Sequence, residues 1–573
     1  MVWFFEFIAS QIPEHLSLIF EIGIMIILAG IIAFILKLMK QPMILAYIIA
    51  GVILGPLSVG LIQNNETILV LSEIGVAFLL FFAGIEINIK KLKEVGGIAV
   101  WGGIVQIALL FAAGFFISIW LGLTGRMPIY VGLVVAFSST MVVLKLLADK
   151  RELNSLHGRI VIGFLLVQDI VAIIALTILT TDLSIASMGV QLLKALGFIV
   201  IAAILAKIVN PIFRIAARST ELLLLISVTL LFFFAIGSYI AGLSLIIGAF
   251  FAGVALANSD YRTEIQGKIM PLRDFFAVLF FVALGMQLTL ISKGLILFIV
   301  MLVLLVMIIK PIIIMIAASI GGYSKRTSFF SGNSLGQTSE FSLIIATLGL
   351  TSGFITGEVF SALVLLTIFT MTASTYIIEY DKRLYQKLSW PLDIFKKTNK
   401  KVKELEFTSP KKNKIVIFGC HRIGSLFLRY FAKRKDEVFV VDFNPDIIKS
   451  LISKKVPCMY GDFANEEVLD KTNLKEAEVI ISTIPDREDN VSLIKKVKKI
   501  NPKIMVFVTA DSIDDARDLY NSKADYVLLP KAITGELAFN LAKKILKNKR
   551  NMRKITKKQI KHLEEIHTLL YER

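Results

Sequence analysis

Cysteine is almost absent from this chain of 573 residues: Cys420 and Cys458 are the whole complement, both in the last third. Two thiols build neither a disulfide framework nor a structural zinc site, and they are compatible with a reducing compartment. No signal-peptide pattern is read at residues 1–12, which lack a basic n-region and a small-residue cleavage site. No Thr-Val-Gly-Tyr-Gly run occurs, which argues against a ligand-gated potassium channel. No catalytic constellation stands in a second soluble domain, which argues against a nicotinamide oxidoreductase on a membrane anchor and against an enzyme generally. The formal charge of +18 lies largely after Glu379, in Lys-rich stretches, and on one set of loops. That placement fits membrane topology and anionic lipid headgroups, and not nucleic acid.

What is abundant is apolar sequence. The chain is 56% hydrophobic, as expected of a polytopic α-helical membrane protein with room for one further soluble domain. Apolar runs fall near 16–36, 43–61, 67–86, 98–121, 129–147, 159–181, 188–209, 221–236, 243–257, 273–290, 294–317, 328–350 and 357–378, about thirteen spans. The 243–257 run is short, and 221–257 can be parsed otherwise. Residues 1–12, with Trp3, Phe4, Phe5 and Phe7, read as an interfacial segment. Assigning alternate loops to one side puts sixteen Lys and Arg there, from Lys37 to Arg326, against Arg126 and Lys293 on the other. This bias predicts a multi-pass protein of the cell membrane with its N-terminus outside and its C-terminal domain in the cytoplasm.

The sixth run carries the most telling residue. Asp169 lies ten residues into it, about 15 Å deep at the helical rise. A carboxylate at that depth costs on the order of 3 kcal/mol or more, and such residues mark ion and proton paths. Lys310 stands at a similar depth in the eleventh run and is expected to pair with Asp169. Glu340, in the twelfth, is the competing buried acid.

The chain also repeats itself. Residues 77–84 resemble 277–285, and 48–55 resemble 246–253, both about 200 residues apart. That offset is seven spans, and an odd number inverts the second copy, the architecture of secondary transporters. The fifth and twelfth runs then become partners, and each is interrupted by polar residues. One interruption is Ser138-Ser139-Thr140; the other is Gly332-Asn333-Ser334 followed by Gly336-Gln337-Thr338-Ser339-Glu340. Breaks of this kind expose backbone groups that can ligate ions.

Several motifs together resemble the Kef-type potassium/proton exchangers, within the second group of monovalent cation/proton antiporters. They are Tyr47 to Pro56, Leu80 to Glu86, Phe137-Ser138-Ser139-Thr140, Gln168-Asp169-Ile170 and Gly336-Gln337-Thr338-Ser339-Glu340-Phe341. The resemblance implies thirteen spans, a dimerisation domain and therefore a homodimer, and a mobile core domain with two crossed, broken helices. It makes Asp169 the carboxylate shared by cation and proton, Gln168 its neutral neighbour and Lys310 its partner.

After the last run, 379–412 reads as a charged linker and 413–545 as a Rossmann-like α/β domain; 546–573 reads as a basic helical tail, with 1–378 the transmembrane domain. Strands are expected near 414–418, 437–441, 456–460, 478–482 and 504–508, alternating with helices in a parallel sheet. The loop Gly419-Cys420-His421-Arg422-Ile423-Gly424 has glycine at the first and third positions of the dinucleotide pattern, but His421 at the second. A side chain there obstructs a pyrophosphate, so AMP fits more easily than NAD. Asp442 stands where a ribose-binding acid belongs. This part resembles the nucleotide-binding domain that regulates potassium transport (TrkA-N or RCK type). The resemblance implies nucleotide contacts from Gly419, His421, Arg422, Ile423, Asp442, Asp462 and Thr483, and no tightly bound cofactor.

The expectation is a regulated exchanger of K+ for H+, with Na+/H+ exchange on the same fold and a ligand-gated potassium channel as alternatives. Asp169 holds the proton or the transported K+ or Na+. Ser138, Ser139, Thr140, Gln337, Ser339 and Glu340 line the ion path.

Overall fold

The computed structural model describes residues 17–39, 41–60, 65–86, 97–150, 152–153, 155–179, 185–217, 219–257, 259–388, 406–407, 414–420, 423–431, 437–461, 468–469, 472, 474–484, 486–547, 556 and 560. The N-terminal segment with its four aromatic residues lies outside them, as does most of the tail after 547. The chain forms two compact units, the first holding the apolar helices up to 396 and the second holding residues 397–573.

Helices occur at every apolar run. They are α1 (Ser17–Leu38), α2 (Met43–Leu54), α3 (Asn65–Glu86), α4 (Gly97–Trp120), α5 (Met127–Ala136), α6 (Thr140–Asp149), α7 (Leu156–Leu179), α8 (Ile185–Ala216), α9 (Thr220–Ile240), α10 (Leu245–Leu256) and α11 (Arg262–Met286). After them come α12 (Ile296–Leu304), a π-turn over Leu305–Ile309, α13 (Lys310–Ile320), α14 (Lys325–Asn333), α15 (Glu340–Thr351), α16 (Gly357–Glu379) and α17 (Asp381–Lys387). Among the described residues, eight helical stretches are long and apolar enough to cross a membrane, by length and composition. Their outer faces stay apolar: Trp101 is 71%, Trp120 72% and Phe34 67% exposed, a surface suited to lipid. The 221–257 region resolves into α9 and α10. Gly242, at φ 77°, makes the turn between them, and Ser244 caps α10.

Two groups of helices share this unit. In one, α3 packs on α10 and α11, and α2 on α11. Glycines make both approaches close. A Cβ on Gly51 would stand 2.8 Å from the Gly285 Cα, and one on Gly253 would stand 2.9 Å from the Gly84 Cα. These contacts relate the two repeats, each first-copy helix packing on the second-copy counterpart of its neighbour. In the other group, α4 holds α5 and α13, and α15 packs on α5 and α16.

The second unit is a seven-stranded sheet of order β1-β4-β3-β2-β5-β6-β7. Its strands are β1 (Glu406–Phe407), β2 (Ile415–Phe418), β3 (Val438–Asp442), β4 (Cys458–Tyr460), β5 (Val479–Ser482), β6 (Met505–Thr509) and β7 (Tyr526–Leu528). All pairs are parallel except β1 against β4. Its helices are α18 (Gly424–Tyr430), α19 (Pro445–Ser453), α20 (Arg487–Ile500), α21 (Ile513–Asn521) and α22 (Pro530–Lys547). The central strands β2 and β3 are buried throughout, so their side chains are apolar without alternation. Strand order reverses between β2 and β5, which places the binding crevice of such folds at Gly419 and Thr483. Strand β1 lies inside the stretch expected to be linker, and β7 adds an edge beyond the five expected strands.

Candidate functional site

The fifth and twelfth runs are broken where their polar residues predict. Residues 137–139 separate α5 from α6, and 334–339 separate α14 from α15. Ser139 caps α6 by accepting from the Val142 N–H at 3.2 Å. Ser339 caps α15, with Ser342 completing the capping box. Each half-helix thus begins at the crossing, with its positive dipole end there. The breaks are tied to each other: Ser138 Oγ donates to the Leu335 carbonyl at 2.9 Å, and Ser139 Oγ to Glu340 Oε1 at 2.6 Å. Small residues let α13 approach; a Cβ on Gly336 would lie 3.1 Å from the Pro311 Cγ.

Asp169 sits on α7 beside the start of α6. The Thr140 hydroxyl lies 3.1 and 3.0 Å from its two carboxylate oxygens. No cation pairs with Asp169 among the described residues, and its charged neighbours are Glu86 and Glu340. Asp169 is partly buried. Gln168 turns the other way. Its Oε1 accepts from the Ser138 N–H at 2.7 Å, and its Nε2 donates to Gln106 Oε1 at 2.7 Å. Gln106 in turn donates to the Ala136 carbonyl at 2.8 Å. This amide chain satisfies backbone groups that the break in the fifth run left open. Gln106 was not foreseen: a single amide in an apolar run gives no sign of what it faces.

Lys310 does not pair with Asp169, contrary to expectation. It is fully buried, and its ammonium donates to the carbonyls of Phe137 at 2.7 Å, Gln337 at 2.8 Å and Val135 at 3.2 Å. Three donors meet three carbonyls released by the two breaks, so the charge is solvated by backbone dipoles rather than by a carboxylate. The π-turn over Leu305–Ile309 immediately precedes it. Gln337 and Ser339 lie in the second break; the Gln337 side-chain amide is buried with neither atom hydrogen-bonded. Elsewhere in the same unit a cavity of about 540 Å³ is lined by Glu73, Arg126, Leu176, Ile247, Ile344 and Phe354, with Arg126 stacked 4.3 Å over the Phe354 ring.

In the second unit Gly419 adopts φ 84° at the end of β2, and the Thr483 hydroxyl donates to its carbonyl at 2.9 Å. Gly424 presses on that same carbonyl, where a Cβ would collide. Asp442 is almost buried. Its oxygens accept from the N–H groups of Cys420 at 2.6 Å and Asn444 at 2.8 Å, so the expected ribose acid already braces the glycine loop. Ile423 directly precedes α18, while His421, Arg422 and Asp462 lie outside the described residues. Burial pushes both thiols up: Cys420 well above the usual range, helped by the Asp442 charge, and Cys458 to about 12. Neither is poised as a nucleophile.

A carboxylate at a crossing of two broken helices, with a doubly wound sheet following in the same chain, is the layout of a membrane transporter with a soluble accessory domain. Residues 23–379 match the family described as sodium/hydrogen exchanger, transmembrane, and residues 415–530 match the TrkA-N domain. The chain belongs to that exchanger family and is a cation/proton antiporter bearing a TrkA-N domain. Over 484 residues it is 29% identical to the glutathione-regulated potassium-efflux system protein KefC of Escherichia coli, covering 82% of this chain and 76% of that one. KefC of Shigella boydii matches with the same identity and coverage. The sodium proton antiporter MjNhaP1 of Methanocaldococcus jannaschii shares the membrane fold, with TM-score 0.52 and 18% identity over 66% of this chain and 99% of that one.

Proposed function

We propose that the chain exchanges potassium for protons by alternating access, with Asp169 as the site that the two ions share. The supporting observation is the Asp169 carboxylate, contacted on both oxygens by one neutral hydroxyl and paired with no cation among the described residues. Such a group has lone pairs free for a proton or a dehydrated cation. Ser139, Thr140, Gln337 and the carbonyls of the breaks supply neutral oxygen around it. Lys310 holds the breaks in register, offsetting exposed carbonyls without neutralising Asp169. Rocking of one helix group against the other then changes the side to which the site opens. The basic loops face the cytoplasm, the N-terminus lies outside, and the protein works as a homodimer. The potassium assignment leans on the potassium-efflux relatives; sodium is the second reading, favoured by the family's own description and the MjNhaP1 fold.

The second unit acts as a nucleotide sensor, with Gly419, His421, Arg422, Ile423, Asp442, Asp462 and Thr483 around the ligand. AMP is the better fit than NAD because His421 replaces the middle glycine. The test is dye-reported proton movement in proteoliposomes challenged with K+, Na+, Rb+ and Li+ in turn. K+ is expected to drive the largest flux, and Asp169→Asn to abolish it while leaving the melting temperature intact. Flux retained in Asp169→Asn overturns the site; flux with Na+ but not K+ overturns the substrate.

A further inference from the structure

Away from the crossing, a second charged cluster ties together the far ends of several helices. Lys150 is the C-cap of α6, the half-helix whose first residue, Thr140, touches Asp169. Its ammonium lies 2.6 Å from Asp381 Oδ2 and 2.9 Å from the Ile378 carbonyl. Asp381 is 2% exposed and opens α17, the short helix that follows α16. Glu152 stands 3.9 Å from Lys150 and 3.1 Å from His157 Nε2. His157 sits in the first turn of α7, the helix that carries Asp169. The His157 ring packs 5.4 Å from Phe330 on α14, and Phe330 packs 5.7 Å from Tyr385 on α17. Arg326 lies over both of those rings, at 5.1 and 5.6 Å. One cluster therefore anchors, at the ends far from the crossing, both broken runs and the helix that bears the carboxylate.

We propose that Lys150 and Asp381 form a positioning clasp that sets where α6 places Thr140 against Asp169, and so sets the cation affinity of the exchange site. The inference rests on the exchange reading above. The lever is short: ten helical residues separate clasp from site, about 15 Å of stiff rod. A shift at Lys150 is thus delivered to the Thr140 hydroxyl. The clasp is also unusual for a charge pair at a helix end, since Asp381 is buried and Lys150 satisfies a backbone carbonyl as well. Breaking it strands a charge.

The test uses the full-length protein in proteoliposomes, reading K+-driven proton flux against K+ concentration. Lys150→Met and Asp381→Asn are each expected to raise the half-saturating K+ concentration about five- to tenfold, the lower end of ordinary site-to-site coupling, with the maximum rate little changed. The double variant Lys150→Met with Asp381→Asn is no worse than either single, because two residues acting as one clasp are lost only once, and Lys150→Arg behaves like the parent. Single variants that lower only the maximum rate, or a double variant whose loss is the product of the two single losses, overturn the clasp. If the single variants fail to fold, Lys150→Arg and Asp381→Glu carry the measurement, and an unchanged half-saturation in Asp381→Glu counts against it. If the parent moves no protons, the exchange reading fails separately. The clasp is then judged by the melting shift that K+ induces, which requires binding but not transport: the parent shift must weaken in Asp381→Asn and weaken no further in the double variant.

Discussion

Ser139 Oγ and Glu340 Oε1 lie 2.6 Å apart, joining the cap of one half-helix to the first residue of the other. The same hydroxyl oxygen accepts from Val142 N–H, so a single atom caps α6 and satisfies a buried acid. Ser139→Ala removes both bonds. A lost cap costs about 0.5–2 kcal/mol, and an unsatisfied buried acceptor about 1–3 kcal/mol more. The variant is expected to melt several degrees below the parent. Adding Glu340→Gln should recover part of the loss, because it removes the stranded acid. A Ser139→Ala protein that melts with the parent means the link contributes nothing.

Lys310 separates two accounts of the same charge. Were it the ion partner of Asp169, removing it would chiefly disturb the pH profile of transport. Its three bonds to carbonyls of the breaks make it a structural bridge instead. Lys310→Met leaves those carbonyls without their donor, at roughly 1–3 kcal/mol for each that finds no water. The expected result is a marked fall in melting temperature, with residual protein that still exchanges at a pH midpoint near the parent's. A normal melt with a displaced midpoint reverses the assignment.

Outside the membrane, Glu152 gives a prediction with a definite sign. Burial raises its carboxyl, but the hydrogen bond and charge of His157, with Lys150 and Lys382, more than offset that and hold it down at about 2. A depressed acid stabilises the fold fully above its ordinary value of 4.5, and that contribution is lost as pH falls toward about 2. Melting followed from about pH 6 to about pH 3.5 should therefore decline more steeply in the parent than in Glu152→Gln, by about 1 kcal/mol at the acid end. Parallel curves remove Glu152 from the cluster's energetics.

Much of this architecture was legible because membranes impose simple rules. Apolar runs had to be helices, and Ser138-Ser139-Thr140 and Gly336-Gln337-Thr338 were conspicuous because hydrocarbon tolerates such residues only at a break. Asp169 stood out for the same reason. Lys310 was misjudged in its partner, since matching charges by depth overlooked the carbonyls that the breaks themselves release. Gln106 and Asp381 were invisible: an isolated amide or a carboxylate just past a span carries no periodic signal, and only the folded chain brings it to Gln168 or Lys150. In the second unit, Val438–Asp442 was an obvious strand, whereas Glu406–Phe407 is two residues long and too short to show any pattern.

Asp442 decides how the glycine loop works. Both its oxygens already accept backbone N–H groups, from Cys420 and Asn444. A carboxylate has about four acceptor positions, so two backbone donors do not by themselves exhaust it. Asp442→Asn places an amide N–H₂ where one of those backbone donors points, while Asp442→Ala empties the brace. Calorimetry on the detergent-solubilised full-length protein should find AMP tighter than NAD in the parent. Binding should fall by an order of magnitude or more in Asp442→Ala, since at least one hydrogen bond to a charged group is lost, worth about 1.5–3 kcal/mol. His421→Gly restores the middle glycine of the dinucleotide pattern and should raise NAD affinity relative to AMP. K+-driven proton flux should persist in Asp442→Ala but no longer respond to nucleotide. If AMP binds the parent and Asp442→Ala equally, Asp442 serves the loop alone; if neither AMP nor NAD binds the parent at millimolar concentration, the domain is no sensor of these nucleotides.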